Sequence, residues 1–224
     1  TRLSNDVFTM DKILLGDVFI RGGSSSGTHV LEEGRPIGQF YGLVCNGIDE
    51  NGRYILVDKD GDGEISDPAD YDYIGSAQPK LTYGITNSFR YKNFDLSFFL
   101  RGTIGNDILN ATRMAYAQSG FLPGTNALDD PLTYTLSETP RFSNYYLEKG
   151  SFMRLDNLTL GYKIKALNGI RVYFTAQNLF VITKYKGLDP EVPMDSGDGL
   201  TPGVEPREFY PKARTFSVGL NLNF

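Results

Sequence analysis

"TFSVGLNLNF", residues 215–224, decides the fold. Phe216, Val218, Leu220, Leu222 and Phe224 fall on one side of an extended chain, and Ser217, Gly219, Asn221 and Asn223 on the other. Apolar side chains at every second position mark a β-strand with two different solvents on its faces. The same period recurs upstream. In 170–178, Ile170, Val172, Phe174 and Ala176 oppose Arg171, Tyr173, Thr175 and Gln177. In 157–164, Leu158, Leu160, Tyr162 and Ile164 oppose Asn157, Thr159, Gly161 and Lys163. In 94–101, Phe94, Leu96, Phe98 and Leu100 oppose Asp95, Ser97 and Arg101, with Phe99 out of pattern. In 81–91, Leu81, Tyr83, Ile85, Phe89 and Tyr91 oppose Thr82, Thr86, Ser88 and Arg90, with Asn87 out of pattern. Each run approaches the ~9–11 residues of a tilted membrane strand.

A soluble sandwich also alternates apolar and polar residues. The connections favour a membrane barrel. Only "KN" separates Tyr91 from Phe94, and "KALNG" separates Ile164 from Ile170, whereas dozens of residues lie between Arg101 and Asn157 and between Asn178 and Thr215. In an up-and-down meander this alternation puts all short turns on one side and all long loops on the other, as in outer-membrane barrels. Sandwiches keep their loops short throughout. The expected fold is therefore all-β: an antiparallel meander of barrel strands, with Arg90, Asp95, Arg101, Lys163 and Arg171 towards a watery lumen and Tyr91 and Tyr162 as an aromatic girdle beside the short turns. A further partial strand is expected near 5–12.

Composition bounds the function. The 224 residues carry a net charge of −5 with no basic cluster, which speaks against nucleic acid as a partner. Mean hydropathy is −0.28, and no apolar run approaches the ~20 residues of a membrane helix. The single Cys45 excludes an intrachain disulfide, and the single His29, beside "RGGSSSGT", reads as an ordinary loop residue. No Ser/His/Asp set, Cys/His metal cluster or phosphate-binding glycine motif is present, so the chain does not read as an enzyme and no organic cofactor is expected.

One motif stands apart. "DKDGDGEIS", residues 58–66, begins like a calcium-binding loop: Asp58, Asp60 and Asp62 at alternate positions, Gly63 at the sixth, Glu64 offering a backbone carbonyl at the seventh and Ser66 at the ninth. The twelfth position, where a bidentate acid completes the shell, is Ala69, so Asp67 or Asp70 would have to substitute. The alternative is a plain Asp/Gly turn held by side-chain-to-backbone hydrogen bonds.

Three further stretches carry a family resemblance: "GRPIGQFYGLVCNGI" (34–48), "YLEKGSFMRLDNLTLGY" (146–162) and "AQNLFVITKYKGLDPEV" (176–192). They resemble the C-terminal part of SusC/RagA-type TonB-dependent transporters of the Bacteroidetes outer membrane, over nearly the whole chain. The resemblance implies a large plugged barrel of about 22 strands, of which residues 1–224 would be a C-terminal portion, with an external loop region at about 13–80 and strands at about 81–101, 157–178 and 215–224. The plug and the TonB-contacting part would lie in the remainder of the transporter chain. It further implies TonB-driven nutrient import with a SusD-like surface lipoprotein, an oligosaccharide or peptide substrate, outer-membrane lipid around the wall, long loops outside the cell and a periplasmic C-terminus. The other function class left open is a secreted, calcium-stabilised β-domain with a glycan-binding or adhesive role.

The remaining loop features have plain readings. Asp189, Glu191, Asp195 and Asp198 are expected to form a solvated acidic loop. Tyr145, Tyr146, Phe209 and Tyr210 could stack on sugars, although such residues more often pack loops or sit at a membrane interface. Ile108, Leu109, Met114 and Ala115 have helical spacing and predict a short helix within a loop.

Overall fold

The computed structural model describes residues 12–19, 27–120, 122–165, 170–192, 199–206 and 210–222. In chain order the strands are β1 (Ile13–Leu15), β2 (His29–Leu31), β3 (Gln39–Leu43), β4 (Cys45–Ile48), β5 (Tyr54–Leu56), β6 (Tyr71–Ser76), β7 (Leu81–Tyr91), β8 (Phe94–Ile104), β9 (Asp107–Leu109), β10 (Leu147–Lys149), β11 (Phe152–Ile164), β12 (Ile170–Thr183) and β13 (Thr215–Asn221). Two short helices, α1 (Ala111–Tyr116) and α2 (Pro131–Thr135), lie between β9 and β10. The chain divides into two compact units.

One unit comprises Pro79–Asn106, Lys149–Glu191 and Phe209–Phe224, and it holds the long strands. These form one sheet in the order β7-β8-β11-β12-β13, every neighbour antiparallel. That is the meander expected from the alternation. The apolar positions share a face across all five strands: Phe89, Leu96, Leu160, Phe174 and Val218 lie in one cross-strand row, and Tyr91, Phe94, Tyr162, Val172 and Leu220 in the next. Many of these side chains are exposed, among them Phe89, Leu160, Phe174, Val218 and Leu220. The opposite face carries hydroxyls, amides and charges.

The strands are longer at the long-loop end than the alternation shows. β11 starts at Phe152 rather than Asn157, because the register with both β8 and β12 shifts between Leu155 and Asn157. Asp156 is the extra residue, and a bulge of this kind flips the face of every residue before it. Leu155 and Met153 therefore join the apolar face while Arg154 and Phe152 turn to the polar one. β12 meets the bulge with its own irregularity at Asn178, which adopts a positive φ of 50°. Residues 223–224 lie outside the described residues, and so do residues 5–11 of the expected partial strand; Lys12 precedes β1.

Glycines on these strands make room for large neighbours. Tyr173 lies over Gly219, where a Cβ would come within 2.3 Å of its ring, and Tyr83 lies over Gly102, at 2.6 Å from its hydroxyl. Each pair is directly opposite in register. Phe99, out of pattern in the sequence, faces the polar side and packs beside Gly84, whose added Cβ would meet the ring at 3.2 Å.

The other unit comprises Thr1–Gln78, Asp107–Glu148 and Val192–Glu208. It contains a four-stranded antiparallel sheet, β1-β2-β3-β6, the β4-β5 hairpin, and the β9-β10 pair. Its core is built from Phe40, Leu109, Met114, Leu132, Phe142 and Tyr146, with a second cluster of Val30, Tyr41, Leu43 and Tyr71. The helix expected from "NDILNATRMAY" is shorter than its spacing suggests, since Ile108 and Leu109 belong to β9. It begins where the Asn110 side chain accepts a hydrogen bond from the Arg113 amide at 2.8 Å. α2 has the same logic, with Asp130 accepting from the Leu132 amide at 2.8 Å and Pro131 at the first helical position. His29 is not a loop residue. It sits in β2, fully buried, with Nε2 2.9 Å from the Pro202 carbonyl and its ring 4.4 Å from that of Phe40.

Candidate functional site

The Asp58–Asp70 loop connects β5 to β6. Asp58 accepts hydrogen bonds from the amides of Gly61 at 2.6 Å and Gly63 at 2.9 Å, Asp60 from Asp62 at 3.1 Å, and Asp62 from Glu64 at 2.8 Å. Gly61 and Gly63 hold φ of 79° and 87°, the left-handed conformations that this winding needs. Asp70 closes the loop: Oδ1 accepts from the Lys59 amide at 2.6 Å and Oδ2 from the Ser66 amide at 2.8 Å. The amides of Ser66, Lys59 and Asp60 hold its carboxyl below the ordinary aspartate range.

Carboxylate oxygens of Asp58, Asp60 and Asp70 lie within 4.8 Å of one another. The sequence-predicted set is thus only partly brought together. The Asp62 carboxylate is outside that cluster, Glu64 was expected to offer its backbone carbonyl and not its side chain, Ser66 donates its amide to Asp70, and Asp67 is drawn off by Arg141 at 2.6 Å. Like-charged carboxylates this close repel, and a divalent cation is the species that relieves them.

A second constellation was not legible as such in the sequence. At the long-loop end of the meander's polar face, Arg154 is 1% exposed and Asp189 4% exposed, with Arg154 Nη2 donating to Asp189 Oδ1 at 2.5 Å. Arg154 also donates to the Asn178 side chain. Arg101 forks onto Glu191, with Nη1–Oε1 2.5 Å and Nη2–Oε2 2.9 Å, and reaches the bulge residue Asp156 at 3.2 Å. Lys212 donates to Glu191 as well. Burial pushes the Glu191 carboxyl up, but the hydrogen bonds from Arg101 and Lys212 outweigh it and hold the group below its ordinary range. Asp189 and Glu191 are therefore not solvated loop acids. They strap the β12–β13 loop to the sheet. Asp195 and Asp198 lie outside the described residues.

Among the loop aromatics, Tyr146 is fully buried with its hydroxyl 2.5 Å from that of Tyr54, and burial pushes the Tyr54 hydroxyl up to about 12. Tyr145 packs edge-on against both rings. These two tyrosines are loop packing. Tyr210 is exposed, and Phe209 lies outside the described residues.

No family model matches the chain. Curated relatives do. It is 34% identical to TonB-dependent receptor P3 of Formosa agariphila over 88% of its length, and 36% identical to TonB-dependent receptor SusC of Bacteroides thetaiotaomicron over 93%. This chain belongs to the SusC-type TonB-dependent receptors. It spans less than a quarter of those relatives' length, 23% and 21%. The structure of the RagAB peptide importer in its closed-closed state superposes with a TM-score of 0.70 at 25% identity, covering 95% of this chain and 25% of that one.

In a SusC-type receptor the five-stranded meander is a stretch of transmembrane barrel wall. Its exposed apolar face is the lipid face, and the polar face lines the lumen. Tyr91, Phe94 and Tyr162 then form an aromatic belt at the short-turn end, where the Phe94 and Tyr162 rings meet at 4.6 Å. The strap joins two of the stretches that carried the resemblance: Arg154 comes from 146–162, and Asp189 and Glu191 from 176–192.

Proposed function

We propose that this chain is part of the wall and outer surface of an outer-membrane importer of oligosaccharides. It is energised through TonB and works with a SusD-like lipoprotein, and its long loops lie outside the cell and its short turns in the periplasm. The observation that carries this reading is the meander itself: five antiparallel strands with one continuous exposed apolar face, on a chain 36% identical to a SusC receptor. Import needs no chemistry on the substrate, in keeping with the lack of a catalytic constellation in the sequence.

Two observations bear on the substrate. The middle of the polar face is a neutral band of hydroxyls and amides, including Thr86, Ser97, Thr159, Thr175 and Gln177, which suits ligands rich in hydroxyl groups. The likeness to the RagAB peptide importer favours peptides as the second reading. Uptake assays decide between them. Cells lacking the full-length gene should lose uptake of labelled oligosaccharides and keep uptake of labelled oligopeptides; the reverse pattern selects the peptide reading.

We also propose that Asp58, Asp60 and Asp70 hold a calcium ion in the external medium, with backbone carbonyls and water completing an oxygen shell. The support is the convergence of three carboxylates, two of them exposed, on a loop whose backbone is already wound by its own aspartates. Such an ion would stiffen the external surface and take no part in transport chemistry. Calcium titration of the full-length receptor by calorimetry tests it.

A further inference from the structure

Three of the wall strands end in an exposed cation on the long-loop side. β7 runs 11 residues from Leu81 to Tyr91. At ~3.4 Å per residue and a tilt of ~40° that is a rise of ~26 Å, the height of the apolar band on an outer-membrane barrel. Lys80 immediately precedes it, exposed, with its amide donating to the Ile104 carbonyl at 2.9 Å and its stem over Gly105. Lys184 immediately follows β12, whose last apolar residue is the exposed Ile182. Thr183 between them is fixed: its Oγ1 donates to the Ser151 carbonyl at 3.0 Å and accepts from the amide of the buried Tyr185 at 3.0 Å. Lys184, flanked by these two anchored residues, is exposed. Arg214 immediately precedes β13, also exposed. The chain before it is pinned by the Asn178 side chain, which donates to the carbonyls of Lys212 at 2.7 Å and Ala213 at 3.3 Å. Among the described residues none of the three cations has a carboxylate partner, whereas Lys212 nearby is held by Glu191.

We propose that Lys80, Lys184 and Arg214 form a rim that binds the anionic phosphate headgroups of the lipid leaflet meeting the long loops. The proposal rests on the reading of the meander as barrel wall with its long loops outside the cell. Three observations select that partner. The exposed apolar face reaches Leu81, Ile104 and Ile182 beside the rim, so lipid covers the wall up to these residues and its headgroups begin there. The backbone at each cation is held by hydrogen bonds within the same unit, so the charges stand at fixed places before lipid arrives. Each side chain is left unpaired at the depth where its stem can lie on the apolar band and its charge in the headgroup layer, and the anion within reach there is phosphate. Arg214 offers a fork to phosphate oxygens, and the two lysines offer point charges.

The test uses the full-length receptor in detergent, freed of lipid and followed by native mass spectrometry. Two probes are compared: bisphosphorylated lipid A and the same lipid with its phosphates removed. The phosphorylated form should bind severalfold more tightly, and added salt should narrow the gap. Lys80→Gln, Lys184→Gln and Arg214→Gln should each take part of the preference and together erase it, with heat-modifiable gel mobility unchanged. Lys163→Gln, on the polar face, should keep it. Equal binding of the two lipids, or a preference that survives the triple variant, overturns the proposal. So does displacement of the lipid by an equal concentration of inorganic phosphate, which would mark a free-phosphate site. Labelling separates the rim from the orientation of the wall. Tyr134, exposed on α2 among the long connections, is changed to cysteine, and Tyr134→Cys should react with a membrane-impermeant maleimide on intact cells. Labelling without a phosphate preference refutes the rim alone, and labelling only after the membrane is breached refutes the orientation and the proposed leaflet with it.

Discussion

The guanidinium of Arg171 on β12 reaches the carboxylate of Asp95 on β8 across the whole width of β11, passing over Gly161. Gly161 is the register partner of Asp95, and a Cβ there would stand 2.4 Å from Arg171 Nη2 and 2.5 Å from Asp95 Oδ1. The missing side chain on the central strand lets one ion pair tie together three strands.

Gly161→Ala is therefore expected to break the Arg171–Asp95 pair while leaving the strands in register. The pair is partly exposed, so the loss should be small, ~0.2–1 kcal/mol. A double-mutant cycle in the intact receptor checks the cause. Once Asp95→Asn has removed the pair, Gly161→Ala should cost nothing further; an undiminished cost would place the strain elsewhere.

The lipid face has a depth scale. Tyr91, Phe94 and Tyr162 mark the interface at the short-turn end, and Leu220 lies in their row. Leu158, Phe98 and Phe216 lie two rows further in, nearer the bilayer midplane. Leu158→Arg should thus cost roughly 2–4 kcal/mol and Leu220→Arg roughly 0–1 kcal/mol. Ser217→Arg, on the polar face, should be tolerated. Equal damage at all three positions in a heat-modifiability assay would contradict the membrane orientation of the wall.

The strap should fail unevenly. Arg154 and Asp189 are both buried, so Asp189→Ala leaves the buried guanidinium with only the Asn178 side chain and Glu191, 3.5 Å away, and should cost up to about 3–5 kcal/mol. Glu191 is about a quarter exposed, and Glu191→Gln should cost less. Limited proteolysis between 184 and 212 should follow that order.

The strap also has a pH sign. The Glu191 carboxyl is held below its ordinary value, so its contribution is complete above about pH 4.3, the unfolded glutamate value. It is lost only as the pH falls through the lower folded value. Proteolysis of the loop should be flat from neutral pH down to about 5, and Glu191→Gln should remove the rise seen on further acidification.

The sequence showed the five long strands because each places one face on lipid and the other on water, which writes a period of two. It failed where that period is broken locally. Asp156 shifts the register by one, so Phe152–Leu155 read as irregular although they continue β11. Phe99 looked misplaced until Gly84 beside it showed where the ring goes. Asp189 and Glu191 looked like solvated acids because their partners, Arg154 and Arg101, are tens of residues away in the chain. His29 was hidden by its glycine- and serine-rich neighbours. The loop at 58–70 was legible as an aspartate-wound turn. Which carboxylates converge was not, because Asp67 is taken by Arg141 from a distant part of the chain, and Asp70 instead closes the loop on the amides of Lys59 and Ser66.

That loop gives the last prediction. Asp58 and Asp60 are exposed, and Asp70 is 1% exposed and anchored by three backbone amides. An ion bound among them would find a largely preformed cradle, but one without the bidentate acid of a full calcium loop at Ala69. Affinity should therefore fall in the weak extracellular range, ~10⁻⁴–10⁻³ M. At that affinity the loop would be occupied at external calcium levels and emptied by chelator. Without the ion, the repulsion among the carboxylates returns, and the turn should open while the Asp70 anchor holds its far end. Chelation should accelerate protease cleavage between Gly52 and Ala77, and Asp60→Ala should reproduce that rate without chelator. Asp62→Ala should change it less, since Asp62 stands outside the cluster. The barrel's heat-modifiable mobility should be the same in every case, because the loop belongs to a different unit from the wall strands. No calcium-dependent heat by calorimetry, together with cleavage that ignores chelator, would leave the aspartates as turn-forming residues whose work is done by the hydrogen bonds to Gly61, Gly63 and Glu64.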